Sequence, residues 1–312
     1  MNIREVDNLE YDGLFEPDHV FNKASFNHLN RDKAEEVKYL VVLEEGNAKA
    51  GIIGGIKNKW FLSPFSASYG GWFYKGKVDI IRVENSYDEL ELWASQNKLE
   101  GIKIVYPPLF HDDSAVSLAL NVALRKGYEL KIVDLNFQFD LSKFNDTYLD
   151  SIAYNARKNY KIGDKSNLIV TKVTEQSLIR QAYDIISLNR QQRGFPLKMT
   201  FENIEQTIKI IDADFFIVYN ASHIAVASAM VFKVTNNIAQ VVYWGHNMEY
   251  SALKPVNYLS YELFRHYKQM GLKYLDIGPS TDAGIPNVGL IEFKQSIGCD
   301  ISPKFTLEKI LT

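Results

Sequence analysis

The chain has one cysteine, Cys299, and this scarcity excludes two kinds of site. A single thiol forms no internal disulfide and builds no thiolate-rich zinc site. Five histidines are scattered without the spacing that metal ligands need, at His19, His28, His111, His223 and His266. We therefore expect no metal site, and we expect Cys299 to be a small buried side chain rather than a nucleophile.

Long apolar runs and an excess of one charge are also missing. No stretch approaches about 18 consecutive apolar residues, and residues 1–7 lack the pattern of a signal peptide, so we expect a cytoplasmic protein without a membrane span. The 35 basic and 38 acidic residues give a net charge of −3. No global positive field attracts nucleic acid, although a local basic groove is still compatible with this balance.

Aromatic residues are plentiful, with 18 Tyr and 18 Phe among 312 residues, and they favour strand-rich cores. The length suits two domains of about 150 residues. A helix followed by glycine and a strand occurs at Gly127 and again at Gly271, about one domain later. We therefore predict an α/β (α+β) chain of two similar domains, residues 1–146 and 147–312, each a mixed, mostly antiparallel sheet flanked by helices.

Hydrophobic periodicity and turn residues locate the main elements of this plan. They predict a hairpin that turns at 45–47, helices at 86–96, 114–126, 176–192 and 256–270, a connecting helix at about 148–160, and an antiparallel meander between 215 and 244.

The most informative segment lies near the C-terminus. A short apolar run containing Asp276 ends at Gly278, and a loop then leads to a helix that carries Phe293 and Lys294 and stops at Gly298. This order resembles the closing motif of acyltransferases with the GCN5-related fold. It is especially similar to the two-lobed Fem-type peptidyltransferases, in which Tyr-x-Asp-x-Gly precedes Phe-Lys-x-x-x-Gly. The helix–glycine–strand unit extends the resemblance to both halves, which implies two fused GCN5-like lobes.

The resemblance places Lys294 in a substrate cleft, so we predict that Lys294 binds substrate and that Asp276 is catalytic. From the residues alone, the two side chains would instead form an exposed ion pair that braces the terminal loop.

A second candidate segment is Tyr69-Gly70-Gly71. Adjacent glycines permit positive φ and the close approach of a ligand. Fem-type enzymes carry a similar Ser/Pro-rich run that ends in Tyr-Gly-Gly near the acceptor site. We predict that Tyr69, Gly70 and Gly71 bind substrate, and a tight turn with a packed aromatic is the alternative.

Two arginines are candidates for binding an anionic group. Arg157 and Lys161 are four residues apart on the predicted connecting helix, so they share a face that suits a phosphate or carboxylate. The alternative is a solvated basic face. Arg193 follows the helix at 176–192 in a loop that, by the resemblance, borders the acceptor site, although a cation there also complements the helix dipole.

Tyr243 and His246 end the central strand of the second half. In the GCN5-related fold this strand separates from its neighbour, and its exposed N–H groups polarise the donor carbonyl. We predict that Tyr243 binds substrate and that His246 is a general base, since its ordinary pKa is near neutrality. No partner carboxylate is readable, so a turn histidine without a catalytic role is the alternative.

The resemblance implies an N-acyl or aminoacyl transferase that moves an acyl group from a thioester or ester donor to an amine, on a sugar or peptide precursor of the cell envelope. The donor would be acyl-CoA or aminoacyl-tRNA. The Gly-rich pyrophosphate loop of acetyl-CoA-dependent enzymes is missing, and the acidic balance does not support tRNA, so both donors stay open, as does the oligomeric state. A non-catalytic ligand-binding protein on a degenerate acyltransferase fold is the alternative function.

Overall fold

The computed structural model describes residues 1–17 and 19–311. The chain divides into two compact units. Unit 1 consists of Met1–Leu135, Ala283–Ile285 and Ser302–Thr312, and unit 2 consists of Asn136–Asp282 and Pro286–Ile301. Among the described residues, no helix has the length and apolar character needed to cross a bilayer.

The elements in chain order are β1 (Asn2–Val6), α1 (Asn8–Leu14), α2 (Ala24–Leu29), β2 (Glu36–Glu44), β3 (Asn47–Lys57), β4 (Trp60–Ser63), β5 (Trp72–Tyr74), α3 (Ile80–Gln96), β6 (Gly101–Val105), α4 (Asp113–Arg125), β7 (Glu129–Asp140), α5 (Tyr148–Ser151), α6 (Tyr154–Lys165), β8 (Ile169–Val173), α7 (Gln176–Gln192), α8 (Phe201–Thr207), β9 (Ala213–Tyr219), β10 (Ala225–Lys233), β11 (Ile238–His246), α9 (Pro255–Gln269), β12 (Tyr274–Pro279), β13 (Thr281–Asp282), β14 (Ile285–Pro286), α10 (Val288–Ser296) and β15 (Asp300–Ile310). Short 3-10 turns add Val20–Asn22, Arg31–Lys33, Leu141–Lys143 and Met248–Leu253.

Unit 1 is a sheet in the order β1-β2-β3-β4-β6-β15, with β5 paired to β3. Adjacent strands are antiparallel except β4 and β6, which are parallel. Helix α3 begins where the Asp79 side chain accepts a hydrogen bond from the Arg82 N–H. Its residues Val83, Tyr87 and Leu90 share one face and are buried in the core formed with the sheet.

Unit 2 is a sheet in the order β8-β9-β10-β11-β12-β7. Its neighbours are antiparallel except β11 and β12, which are parallel. Helix α9 buries Leu259, Leu263 and Tyr267 along one face, the stripe that the sequence pattern predicted. The two units therefore share one strand order and one pattern of parallel pairing, which confirms the predicted fold class.

The strand that closes each sheet comes from a distant part of the chain. In unit 1 it is the end of β15, at Thr306–Ile310, and in unit 2 it is the end of β7, at Asn136–Asp140. Each unit is therefore built from interrupted segments. The division of the chain into domains 1–146 and 147–312 stays a prediction.

The topology corrects the predicted equivalence of Gly127 and Gly271. Gly271 precedes β12, whose counterpart in unit 1 is β6, and the residue between α3 and β6 with a left-handed backbone is Lys98. Gly127 precedes β7, whose counterpart is β15, so its equivalent is Gly298. The sequence did not show that Lys98 is equivalent to Gly271, because the left-handed residue after a helix is usually glycine.

The predicted connecting helix at 148–160 is wrong. The chain forms two helices, α5 and α6, separated by extended Ile152 and by Ala153, which is not helical. The Ala153 N–H bonds to the Ser296 carbonyl at 3.1 Å, so a tertiary contact takes the donor that a continuous helix would use. By contrast, the predicted helix at 176–192 has the same bounds as α7, and the hairpin and meander are confirmed.

Candidate active site

The sheet of unit 2 opens into a fork between β11 and β12. The two strands pair at Ile238 with Tyr274, at Ala239 with Leu275 and at Gln240 with Asp276, and pairing stops there although β11 continues to His246. Beyond Gln240, β11 keeps β10 on one side only, so backbone groups on its other edge have no strand partner from β12. This geometry is the strand separation that the resemblance implied.

Asp276 lies at the base of the fork and is 0% exposed. Its Oδ1 accepts hydrogen bonds from Asn136 Nδ2 and from the Gly278 N–H, each at 2.8 Å, and its Oδ2 accepts one from Gln240 Nε2 at 2.7 Å. Burial raises the pKa of Asp276, and the three hydrogen bonds and the Lys294 charge act against that rise.

Lys294 extends from α10 towards the turn that follows Asp276, at Gly278 and Pro279, and is 1% exposed. Its Nζ donates to the carbonyl of Gly278 at 2.8 Å and to that of Pro279 at 3.1 Å, and it lies 5.2 Å from the centre of the Phe137 ring. An ammonium has three N–H groups, so one remains without an acceptor among the described residues. Burial lowers the pKa of Lys294 to about 8, and the Asp276 charge opposes this shift.

The exposed ion pair between Asp276 and Lys294 is wrong in both respects. Both side chains are buried, and no salt bridge joins them in the described part of the chain. Amide donors hold the carboxylate, and backbone carbonyls hold the ammonium, so each group contacts the Gly278–Pro279 turn rather than the other charge.

His246 ends β11 and is partly buried. Its Nε2 lies 3.0 Å from Ser251 Oγ, whose own hydroxyl donates to the Met248 carbonyl at 2.6 Å. Since that hydroxyl proton is committed, Nε2 carries the donated hydrogen and Nδ1 has the lone pair. Burial and the charges of Arg193 and Lys254 lower the pKa of His246, so the ring is neutral at pH 7 and able to accept a proton.

The face of β11 that carries His246 also carries Trp244, because alternate residues of a strand point the same way. The Trp244 ring is 5.8 Å from the ring of Phe293, which precedes Lys294 in α10. The opposite face meets α7: a Cβ at Gly245 would lie 2.8 Å from Asn189. No hydrogen bond joins His246 to Asp276 or Lys294 within residues 1–17 and 19–311, so the structure places these candidates along one fork without direct contact.

Tyr243 and Arg193 border the same end of β11. Tyr243 is held by the guanidinium of Arg190, which lies 5.6 Å from its ring centre, and burial raises the pKa of Tyr243 against that positive charge. Arg193 is an exposed residue at the C-terminal end of α7, and its charge acts on His246. Whether either residue binds substrate stays a prediction.

The Tyr69-Gly70-Gly71 segment is packed into unit 1. Tyr69 is 1% exposed, its hydroxyl lies 3.1 Å from His111 Nε2, and the His19 ring packs edge-on against it. The Gly70 N–H donates to the Val105 carbonyl at 2.8 Å. The Tyr69-Gly70-Gly71 segment therefore occupies the edge of β6 just beyond its last pair with β4, Ser63 with Ile104. The substrate-binding role of these three residues stays a prediction.

Replacing Gly70 by alanine should destabilise the protein by about 1–3 kcal/mol, because the new Cβ would lie 2.8 Å from Ser63 Oγ and 2.9 Å from the Pro64 nitrogen. Chemical denaturation measures this loss. Gly13→Ala is the matched control, since a Cβ at Gly13 meets nothing within 4 Å in helix α1 and alanine favours helix. Equal denaturation midpoints for Gly70→Ala and the wild type would contradict the packing described.

Arg157 lies on α6 and forms an ion pair with Asp150 at 2.8 Å. One face of α6 lines a shallow groove of about 340 Å³ with the residues Tyr154, Arg157, Lys158, Lys161, Ile162 and Lys165. None of these residues belongs to the fork. The structure confirms that Arg157 and Lys161 share a face of the helix, and the substrate-binding role of Arg157 stays a prediction.

Cys299 is buried, and burial raises the pKa of its thiol, which suits a small apolar residue rather than a nucleophile. No group of three or more His, Cys, Asp or Glu side chains suited to a metal ion occurs in the ranges that the structure describes.

Two site residues, Asn136 and Gln240, were missed by the sequence reasoning. Each is a polar side chain on an otherwise apolar stretch of strand, Leu135-Asn-Phe-Gln-Phe and Ile238-Ala-Gln-Val-Val. Buried amides need hydrogen-bond partners, so such interruptions signal a polar network.

The chain is similar to known proteins in its fold. Neither a family model nor a curated protein sequence matches the chain. Among solved structures, FemX superimposes with a TM-score of 0.72 at 14% identity, covering 100% of this chain and 98% of that one. L-PGS from Bacillus licheniformis gives 0.62 at 12% identity over 97% and 92%, and a tandem GNAT protein from the clavulanic acid biosynthesis pathway gives 0.51 at 10% identity over 100% and 98%. With its repeated strand order and its fork, the chain therefore has the two-lobed, GCN5-related fold of the Fem type.

Proposed function

We propose that the protein is an N-acyl or aminoacyl transferase whose donor binds in the β11–β12 fork of unit 2. The observation that carries this proposal is the end of strand pairing at Gln240 and Asp276, with a buried ammonium at the base of the opening. Backbone N–H groups that β12 leaves without a strand partner, together with a fixed ammonium, suit a reaction in which a carbonyl oxygen gains negative charge. The fold of FemX and of tandem GNAT proteins supports the same class of reaction.

The reaction begins with attack of the acceptor amine on the carbonyl carbon of a thioester or ester. The carbonyl electron pair moves to oxygen, where the remaining N–H of Lys294 and the open edge of β11 stabilise it. The C–N bond forms, the C–S or C–O bond breaks, and the leaving thiol or alcohol takes the proton that the amine releases. Neutral His246, with its Nδ1 lone pair, is the candidate carrier of that proton.

Two features bear on the donor. The connection from β11 to α9 is a 3-10 turn, Met248–Leu253, with no glycine in it, so it lacks the backbone cradle that favours a pyrophosphate group. The cations along α6 supply a local basic surface on a chain of net charge −3. Both features favour an ester donor such as aminoacyl-tRNA over acyl-CoA. For the acceptor, we propose an amine on a sugar or peptide precursor of the cell envelope.

Thermal denaturation with CoA, acyl-CoA, uncharged tRNA and aminoacyl-tRNA tests the proposal. A donor at about 100 times its Kd stabilises the native state by about 2.7 kcal/mol, so we expect the melting temperature to rise by roughly a few degrees with one acylated donor. Adding an amine should then release the thiol or the deacylated RNA. Stabilisation without transfer would support the alternative of a degenerate, ligand-binding fold, and no response to any of the four would contradict both functions.

A further inference from the structure

The buried carboxylate of Asp276 is held by dipoles rather than by a cation. Its donors are the side-chain amides of Asn136 and Gln240 and one backbone N–H. Hydrogen bonds to an ionised carboxylate stabilise its charged form, and a buried carboxylate that loses them takes up a proton instead. The two amides therefore determine whether Asp276 carries its charge.

The same carboxylate shapes the turn that binds Lys294. Its Oδ1 accepts the N–H of Gly278, whose φ of +71° suits glycine. That conformation directs the carbonyls of Gly278 and Pro279 to the Lys294 Nζ. The position of the ammonium thus depends on the turn, and the turn depends on the carboxylate.

The network also ties together three strands at the base of the fork. Gln240 on β11 is the last residue paired with β12, and its partner there is Asp276. Asn136 on β7 pairs with Pro279, after an irregularity in the register that follows Asp276. The amides thus approach the carboxylate from the strands on both sides of β12.

We infer that two buried amides, Asn136 and Gln240, are positioning residues for the Lys294 ammonium. They act through the Asp276 carboxylate, keeping it ionised and keeping the following turn in shape. This inference rests on the proposed function in one respect, namely that the charge on Lys294 matters for transfer.

The groups that face Lys294 are few. Asp276 on β12 supports its positive charge, the Phe137 ring on β7 lies beside it, and the Cys299 thiol stays neutral because burial raises its pKa. If Asp276 took up a proton, Lys294 would lose the one carboxylate that raises its pKa, so its titration would move to lower pH.

Gln240→Leu tests this dependence, because leucine is of similar volume and donates no hydrogen bond. The readout is the Lys294 titration followed by NMR of lysine labelled with ¹³C at Cε, assigned by comparison with Lys294→Met. We expect a midpoint near 8 in the wild type and a midpoint lower by about one pH unit or more in Gln240→Leu. The alkaline limb of the transfer rate should move with it.

Gln138→Leu is the matched control. Gln138 is buried on β7 and lies opposite Asp276 in the register, yet no hydrogen bond joins the two side chains within the described ranges. This control should leave the Lys294 titration where it is. Equal midpoints for Gln240→Leu and the wild type would overturn the inference, as would equal changes of midpoint in Gln240→Leu and Gln138→Leu.

A second variant keeps the test decisive if Gln240→Leu does not fold. Asn136→Leu removes the other amide that donates to the Asp276 carboxylate, so the Lys294 midpoint should fall here too, and an unchanged midpoint overturns the inference. The NMR titration needs no activity. If no acyl transfer is found, the proposed function fails while the titration still decides the role of the amides; if transfer occurs and no midpoint moves, the inference alone fails.

Discussion

Replacing Lys294 by methionine should lower the rate of acyl transfer about 10²–10³-fold, the usual effect of removing one donor that stabilises an oxyanion. Methionine fills a similar space in the core beside Phe137 and removes all three N–H groups. The loss should appear in kcat rather than in KM, because the interaction is needed only once charge develops on the carbonyl oxygen. Single-turnover measurements of amide formation, at a saturating concentration of donor, give this number directly.

The stability of the same variant separates a catalytic lysine from a structural one. Two carbonyls, those of Gly278 and Pro279, lose their donor, at about 1–3 kcal/mol each, while the removal of a buried charge offsets part of this cost. We expect the melting temperature to change by only a few degrees. A variant that melts far earlier, yet transfers normally once folded, would make Lys294 a brace for the turn and nothing more.

Acidification from pH 7 to about pH 4 should destabilise unit 1 through two buried histidines. Burial lowers the pKa of His19 and of His111 to about 3, and the charge of His19 contributes to the lowered pKa of His111. Between pH 3 and the ordinary histidine pKa of about 6.5, the unfolded chain binds more protons than the folded one, so the free energy of unfolding falls as the pH falls through this range. His19 is 8% exposed, and a tenfold difference in proton affinity between the folded and unfolded chains is worth about 1.4 kcal/mol, so the loss should amount to a few kcal/mol by about pH 4.

Denaturant unfolding at pH 7 and pH 4.5 measures this loss. His19→Phe keeps a ring against Tyr69 and Phe21 and removes the titrating group, so its stability should depend less on pH over this interval. His28→Gln is the control, because His28 is exposed on the short helix α2 and its replacement should leave the pH dependence of the wild type in place. Identical pH profiles for His19→Phe and the wild type would contradict a buried neutral His19.

The elements with strong local signals were predictable from the sequence. Helix α7 has a clear apolar face, and Gly271 with its left-handed backbone follows the end of helix α9, so local periodicity and capping located both. The split of the connecting helix was not predictable, because it depends on a backbone hydrogen bond from Ala153 to Ser296, far along the chain. The pairing of the two closing strands was not predictable either, since contacts between segments so far apart in the chain leave no local sequence pattern.

The candidate site was predictable in part. The resemblance of their motif made Asp276 and Lys294 candidates, a role that stays a prediction. Their burial and their separate partners were not predicted, because a pair of opposite charges suggests direct contact. Gln240 and Asn136 carried a usable signal, a polar residue inside an apolar strand. That signal indicates a buried hydrogen-bond network but does not indicate that Asp276 is the shared acceptor.

A crystal structure with a non-transferable analogue of whichever donor stabilises the protein would show whether the fork binds that donor. We expect the donor along the open edge of β11 beyond Gln240, with its carbonyl oxygen about 2.7–3.1 Å from the Lys294 Nζ. A donor bound only along α6 or in unit 1, with the Lys294 Nζ still bonded to Gly278 and Pro279 alone, would contradict it.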